Sequence, residues 1–462
     1  MTKKKKKLLV ILGAGSSVQQ GFPSVSSLND DVACWAKMHT ERMQEITSDE
    51  TKLANSVNYY DLLWRNRATY CSRLTDEAKD IVEARTAPNY ERVMGDLHLL
   101  MNAVLGAPFG DPLLRWTTYG KTFEGLAIKP DQGPPPDHQS NRNFYAVLHQ
   151  LKTILEKLAA LFRWRCIEFE SPAGDANFEP YRNLFSALAE EFDVGVYNLN
   201  HDTVALNALR KPFVGFNRST GAFQPAQVVA HPDWNFLYHL HGSVHHRIRK
   251  ESTTQEDADF GQKITWYNDL TQAGDGEEWI DAGDITTKTD GKRVLMSSLV
   301  AGGWKLDQLQ EEPFLTFYSC LPRHVYEADA ILIGGYGFGD PHVNSILKNT
   351  LRAKATGSGR PPVLILDHDA AKRPLAMRGA DPWGTAMGDT LRASRVSFRD
   401  KSHRSEKQWT NLPQEISPDE FEMPIGRNHL VPVAIWSWGF LSASDHVAAM
   451  AKWLSGDPSA QL

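Results

Sequence analysis

Six short apolar runs constrain this chain more than any other feature: KLLVIL (7–12), DVGVYNLN (193–200), NFLYHLHG (235–242), ADAILIGGYG (328–337), PPVLILD (361–367) and LVPVAIW (430–436). Most are near-continuous rather than alternating, which is how strands buried on both faces read. The expected fold is therefore α/β: a Rossmann-like parallel sheet with helices on both faces. Between the first two runs the spacing turns helical over 28–165, most clearly in YERVMGDLHLLMNAVL (90–105) and NFYAVLHQLKTILEKLAALF (143–162). The segment IKPDQGPPPDHQSN (128–141) interrupts it as an exposed loop. This predicts a core built from 1–27 and 166–462, including a C-terminal extension, with a mainly helical insertion at 28–165. The charged, Thr- and Gly-rich stretch 245–295 reads as an irregular, mobile excursion that could serve as a lid. A last helix is expected near 444–454.

The first run leads into a glycine turn, LLVILGAGSSVQQGFPS (8–24). Gly13, Ala14 and Gly15 let backbone approach an anion, although a tight strand-to-helix connection needs the same residues. A dehydrogenase fingerprint would place glycine where Val18 stands, and its acidic partner about 20 residues on would fall in the helical stretch. No Gly-Lys-Ser/Thr follows, so this is not a P-loop. A second glycine turn follows the fourth run, with Gly334, Gly335, Gly337 and Gly339, then Asp340-Pro341 and an amphipathic helix. Asp367 ends the next run and suits an adenosine-ribose hydroxyl. Two glycine turns and a terminal acid fit a dinucleotide better than a mononucleotide.

Two strand ends carry polar groups. In YNLNHD, period two puts Asn198, Asn200 and Asp202 on one face, and in HLHGS it does the same for His239 and His241. Ligands of parallel sheets bind at the C-terminal ends of strands, so these groups converge on whatever the first turn holds. Each alone has a plainer reading, as a turn cap or a satisfied polar residue. The His239–His241 pair also permits chelation, with His201, His231, His245 and His246 nearby, but carboxylate partners are not evident and the glycine turn is left unexplained. Cys34, Cys71, Cys166 and Cys320 are scattered and form no C-x-x-C pair. No bound metal is expected.

The net charge of -6 and a single dense basic block, Lys3–Lys7, give no evident surface for nucleic acid. No apolar run reaches the ~18 residues a membrane helix needs, and LLVIL lacks the cleavage site of a signal peptide. A cytoplasmic protein is expected.

The set Gly-Ala-Gly-Ser-Ser…Gly-Phe-Pro (13–17, 21–23), Asn-Leu-Asn-His-Asp (198–202), His-Leu-His-Gly-Ser (239–243) and Gly-Gly-Tyr-Gly-Phe-Gly-Asp-Pro-His-Val-Asn (334–344) resembles the sirtuin-like superfamily. The resemblance is closer to the bacterial sirtuin-like NAD hydrolases of antiphage defence, whose segments NYERVM (89–94) and SSLVAGGWKLDQLQEEPFLTFYSCL (297–321) also resemble. Protein-deacetylating sirtuins carry Gly-Ile-Pro-Asp-Phe-Arg where this chain has Gly21-Phe22-Pro23-Ser24-Val25, and a four-cysteine zinc module that this chain lacks. The resemblance implies NAD as substrate, cleaved between nicotinamide and ribose to give nicotinamide and ADP-ribose. It assigns Asn200 to the ribose hydroxyls and the water, His241 to general-base work, and Asp202 to orienting them. Gly13, Ala14, Gly15, Ser16 and Ser17 would cradle the pyrophosphate, Gly335, Tyr336, Gly337 and Asp367 would hold the adenosine side, and Pro23 would also belong to the cofactor-binding set. The competing functions are ADP-ribosyl or acyl transfer, and a sensor that binds NAD or ADP-ribose without cleaving it. Because uncontrolled NAD loss kills a cell, the activity implies a gate. The expected partners are other copies of the chain in a homo-oligomer and a HerA-like hexameric ATPase, with a short Argonaute module second.

Overall fold

The first strand, β1 (Lys6–Leu12), lies in the middle of the principal sheet of a computed structural model of the 462-residue chain. The structure describes residues 4–46, 58–72, 89–104, 142–171, 178–249, 263–271, 279–288, 292–355, 361–368, 382–391, 419–424, 430–436 and 438–456. Leu8 to Leu12 are all buried, so both faces of β1 are covered, as its unbroken apolar run requires.

The other strands of that sheet are β2 (Phe192–Asn198), β3 (Phe236–His239), β4 (Ala330–Gly334), β5 (Val363–Leu366), β6 (Asp419–Pro424) and β7 (Leu430–Trp436). Their spatial order is β6-β7-β5-β4-β1-β2-β3. Every pairing is parallel except β6 with β7 at one edge. The six parallel strands are the six apolar runs, and the expected Rossmann-like α/β fold is what the chain adopts. From β1 the order runs one way through β2 and β3 and the other way through β4, β5 and β7. That reversal beside β1 is where open parallel sheets form a ligand crevice.

Among the described residues a single helical turn, Gly15–Val18, follows β1, and then come the longer helices α1 (Leu28–Ile46), α2 (Tyr59–Ser72), α3 (Tyr90–Val104) and α4 (Arg142–Phe169). In α4 the buried residues Val147, Leu151, Ile154, Leu155, Leu158 and Phe162 recur every three or four positions, one face of a helix. Gln150, buried on α4, joins three helices: its Oε1 accepts the Tyr60 N–H at 3.0 Å and its Nε2 donates to Thr40 Oγ1 at 3.2 Å. Helix α5 (Glu179–Glu191) precedes β2 and packs on it and on α8 (Val447–Ser455), which touches β4 and β5. Helix α6 (Phe314–Glu327) packs on β1 and β3, and α7 (Pro341–Ala355) packs on α6.

The 245–295 stretch corrects one expectation. Its described parts are not irregular. Strands His246–Arg249, Ile264–Trp266 and Trp279–Ile280 form a three-stranded antiparallel sheet, and Ala282–Thr287 pairs with Arg293–Ser297. Ile248, Ile264, Trp266 and Leu295 are buried there, enough apolar surface to fix short strands despite the charged residues between them. The expected loop at 128–141 lies outside the described residues.

Candidate active site

The strand ends build the site. β2 stops at Asn198, whose Oδ1 accepts the Asn200 N–H at 3.0 Å. This side chain–backbone turn ends the strand, so the period-two expectation fails past it. Asn198 stays beneath, while Asn200 and Asp202 enter a cavity of about 300 Å3 at the C-terminal ends of β1, β2 and β4. β3 likewise stops at His239, whose Nδ1 sits 3.3 Å from the Asn200 carbonyl oxygen and ties the two ends together. His241, past the strand end, lines the cavity, and His239 does not. The His241 backbone is pinned by its carbonyl, which accepts the Val300 N–H at 2.8 Å.

The first turn contributes Gly13, Ala14, Gly15, Ser17 and Pro23 to the lining, and the second contributes Gly335, Tyr336 and Gly337. Ser16 lies just below, accepting from Asn200 Nδ2 at 3.0 Å and donating to the Gly13 carbonyl at 2.8 Å. Asp367 is not brought to the cavity. It sits past the end of β5, where its N–H donates to the Trp436 carbonyl and its own carbonyl accepts from Gly439.

The two glycine turns clasp each other, which explains the first pair of glycines in a way the sequence did not suggest. Gly13 N–H donates to Gly334 O and Gly15 N–H to Gly335 O, both at 2.9 Å. A Cβ on Gly13 would lie 2.7 Å from Tyr336 Cα, and one on Gly15 2.9 Å from Gly335 Cα. The Ser16 and Ser17 N–H groups return to the Gly13 and Ala14 carbonyls. Four of the turn's donors are therefore engaged within the protein. The turn shapes the cavity wall through close backbone approach more than through free N–H groups.

Asn200 is fully committed on one side. The two N–H groups of its Nδ2 are shared among three acceptors, Gly13 O, Ser16 Oγ and Ser17 Oγ, at 3.0, 3.0 and 3.1 Å. Its Oδ1 is buried and has no protein partner among the described residues. A buried carbonyl oxygen without a donor is costly, unless a ligand hydroxyl or water supplies one. Asp202 Oδ1 accepts the Val204 N–H at 3.0 Å. Burial pushes its carboxyl up to about 6, against the lowering effect of hydrogen bonds from Ser17 and the backbone. His241 is held well below the ordinary imidazole value by burial, with Lys305, His342 and His201 adding to the effect and Asp340 opposing it. It is neutral near neutral pH, and its Nε2 is buried without a hydrogen-bond partner among the described residues.

Three charged residues that motif reasoning gave no role share this cavity: Glu91, Lys305 and Asp340. Lys305 Nζ lies 3.0 Å from Asp340 Oδ1 and 3.1 Å from Glu91 Oε1. Glu91 and Lys305 are brought near each other where α3 packs tightly on the loop before Lys305. Gly95 and Gly303 touch there so closely that a Cβ on Gly95 would lie 2.8 Å from Gly303 Cα, and the His98 ring stacks on Trp304 at 4.8 Å. Burial alone would lower the Lys305 ammonium, but Glu91 and Asp340 together hold it above its usual value. Burial alone would raise Asp340, but Lys305, then His241 and His342, hold its carboxyl well below the usual range. The signal in the sequence was their place inside the segments 89–94, 297–321 and 334–344, which carried the family resemblance.

His241, Asp340 and His342 bring ligand-type atoms within 4.8 Å of one another, so a carboxylate does stand beside the HLHGS imidazole. Lys305 already places a cation on the Asp340 oxygen that faces His241.

Residues 194–380 match the family described as the SIR2-like domain. The match spans β2, β3, β4, β5 and the second glycine turn, and it supports the sirtuin-like superfamily to which the motifs pointed. No curated protein matches the chain. Among solved structures, a mutant Sir2 homologue bound to ADP-ribose is 13% identical, with 84% of this chain and 92% of that chain covered and a TM-score of 0.29. A Sir2 homologue–NAD complex is also 13% identical, covering 84% and 89%, with a TM-score of 0.29. A structure described for the mechanism and regulation of Sir2 enzymes is 12% identical, covering 84% and 91%, with a TM-score of 0.31.

Proposed function

We propose that this chain is an NAD+ hydrolase that cleaves the nicotinamide–ribose bond to give nicotinamide and ADP-ribose. The observation that carries the reading is the state of Asn200. Its two amide N–H groups are shared among three acceptors of the first turn, and its Oδ1 is left buried with no hydrogen-bond partner among the described residues, on a side chain that lines the same cavity as the neutral His241. A ribose hydroxyl and a water supply the donors that such an oxygen lacks.

The leaving group is already cationic, so it needs no proton. The bond between the ribose anomeric carbon and the ring nitrogen breaks, and its electron pair neutralises nicotinamide. The ribose passes through an oxocarbenium-like state. Water attacks the anomeric carbon, and neutral His241 accepts the proton released as the new C–O bond forms. Asn200 orients the ribose and the water, and Asp202 braces this group through Ser17 and the Val204 N–H. The Rossmann-like core would be residues 1–27 and 166–462, with 28–165 as a helical insertion.

The same reading makes the chain an effector of bacterial antiphage defence that acts by depleting NAD in the cytoplasm. Its activity would be gated in a homo-oligomer by a separate polypeptide, a HerA-like hexameric ATPase before a short Argonaute module. Among the described residues no helix is long and apolar enough to cross a membrane. Chromatography of NAD incubated with the purified chain, alone and with a protein acceptor, tests the chemistry. Free ADP-ribose supports hydrolysis, a labelled acceptor supports transfer, and intact NAD in the presence of the activating partner rejects both.

A further inference from the structure

We propose that Asp340, held in place by Lys305 and Glu91, is a positioning residue for His241, fixing the imidazole tautomer and stabilising the imidazolium that forms when His241 takes a proton. The inference rests on the reading of His241 as the base.

The geometry is the first support. Among the described residues His241 Nε2 is buried without a hydrogen-bond partner, and Asp340 Oδ1 lies 3.8 Å from it. That is too long for a hydrogen bond, and catalytic hydrogen bonds are often long before substrate binds. A carboxylate on the Nε2 side favours the proton there, which leaves Nδ1 with the lone pair a base needs. Asp340 is itself rigidly seated. It immediately precedes α7, and its carbonyl accepts the Asn344 N–H at 3.0 Å and the Tyr336 hydroxyl at 3.2 Å.

Charge is the second support. The groups facing His241 are Asp340 just before α7, His342 within α7, Lys305 at the start of the short helix Lys305–Gln308, and His201 past β2. Both neighbouring histidines are kept neutral by burial, each lowered to about 4. The ammonium of Lys305 lies between two carboxylates, so Glu91, Lys305 and Asp340 together carry one negative charge. That net sign favours an imidazolium. An ion pair in a largely buried site seldom exists for stability alone, and here Lys305, Asp340 and His241 side chains are 16%, 14% and 5% exposed. Lys305 keeps the Asp340 carboxylate ionised and aimed, and Glu91 offsets the surplus positive charge that Lys305 would otherwise present to His241.

The test uses full-length protein with its activating partner, and measures NAD turnover from low to high pH together with ADP-ribose binding by calorimetry. Removing an opposite charge at this range lowers the proton affinity of a base by about 10- to 1,000-fold, part of which appears in rate. Asp340→Asn is expected to lower kcat about 10- to 100-fold while KM and ADP-ribose affinity stay within about threefold. Its acidic limb is expected at lower pH, because His241 is then harder to protonate. Asp340→Glu is expected to recover part of the lost kcat. If Asp340→Asn does not fold, Asp340→Asn with Lys305→Met removes both charges together, and a smaller loss of kcat, still at unchanged ADP-ribose affinity, is expected, because Lys305 and Asp340 act on His241 in opposite senses. Wild-type kcat with an unmoved acidic limb overturns the proposal, and so does a kcat that falls only in step with ADP-ribose binding. A wild-type protein that leaves NAD intact overturns the hydrolase reading and this proposal with it, and is told apart because it appears before any substitution.

Discussion

Asp202→Asn removes a carboxylate that folding forces into a buried site, and the consequence for stability can be worked out. The carboxyl rises from its ordinary value of 3.8 to about 6 on folding, chiefly through burial. At 1.36 kcal/mol for each pH unit this is a cost of about 3 kcal/mol once the group is ionised. The sign follows from linkage. A folded value raised above the unfolded one contributes stability that is fully present below the unfolded value and is lost as pH rises through the folded value. Wild-type protein therefore loses this contribution between about pH 4 and about pH 6, and roughly half of the loss falls above about pH 5. Asparagine keeps an acceptor for the Val204 N–H, which Asp202 Oδ1 accepts at 3.0 Å, and carries no titrating charge. Chemical denaturation of both proteins over a pH series reads the effect as a difference, so the buried histidines, common to both, cancel. The variant is expected to gain about 1.4 kcal/mol on wild type between about pH 5 and about pH 8. A difference that is flat with pH, or one that runs the other way, refutes the argument that Asp202 is kept at a cost in stability for the sake of the site.

Gly335→Ala is expected to destabilise the fold by at least about 2 kcal/mol in the same denaturation assay, because Gly335 has a φ of +58° and its Cβ would lie 2.0 Å from Ser16 N. A near-neutral Gly335→Ala would mean that the two turns do not clasp as described. The Lys305 ammonium on Asp340 predicts that NAD cleavage survives a chelator and that elemental analysis finds no stoichiometric metal. Metal and activity lost together would assign His241, Asp340 and His342 to an ion instead. Size-exclusion chromatography with light scattering is expected to find a homo-oligomer whose NAD turnover rises when the partner ATPase is added. A fully active monomer indifferent to partners contradicts the gated-effector reading.

The parallel sheet was legible because burial on both faces writes itself as unbroken apolar runs, and all six runs became strands. The seventh strand, Asp419–Pro424, was missed because DEFEMP is half acidic and ends in proline, a composition tolerated at an antiparallel edge but not typical of a strand. The small strands of 246–297 were missed because runs of two to six residues are too short for a period to show. In the site, Asn200, Asp202 and His241 were legible from strand-end position. Asn198 and His239 share their alternation but not their place, since both strands stop before the chain reaches the cavity. Glu91, Lys305 and Asp340 come from three distant segments, and Glu91 and Lys305 are brought near each other where Gly95 lets α3 touch Gly303. Spacing within one segment carries no trace of such a meeting. Asp367 looked apt from its strand end alone, and the order of strands puts it one strand beyond β4, away from the cavity.

The central claim is bond cleavage by the groups beside the first glycine turn, and one assay tests it most directly. Wild-type protein, Asn200→Ala and His241→Ala are each incubated with NAD and the activating partner, and nicotinamide and ADP-ribose are quantified over time. Wild type is expected to release both in equal amounts. His241→Ala is expected to fall by about 10²–10⁴-fold, and Asn200→Ala to fall to background, with both variants folded by circular dichroism. Turnover in His241→Ala or Asn200→Ala close to wild type would contradict the account.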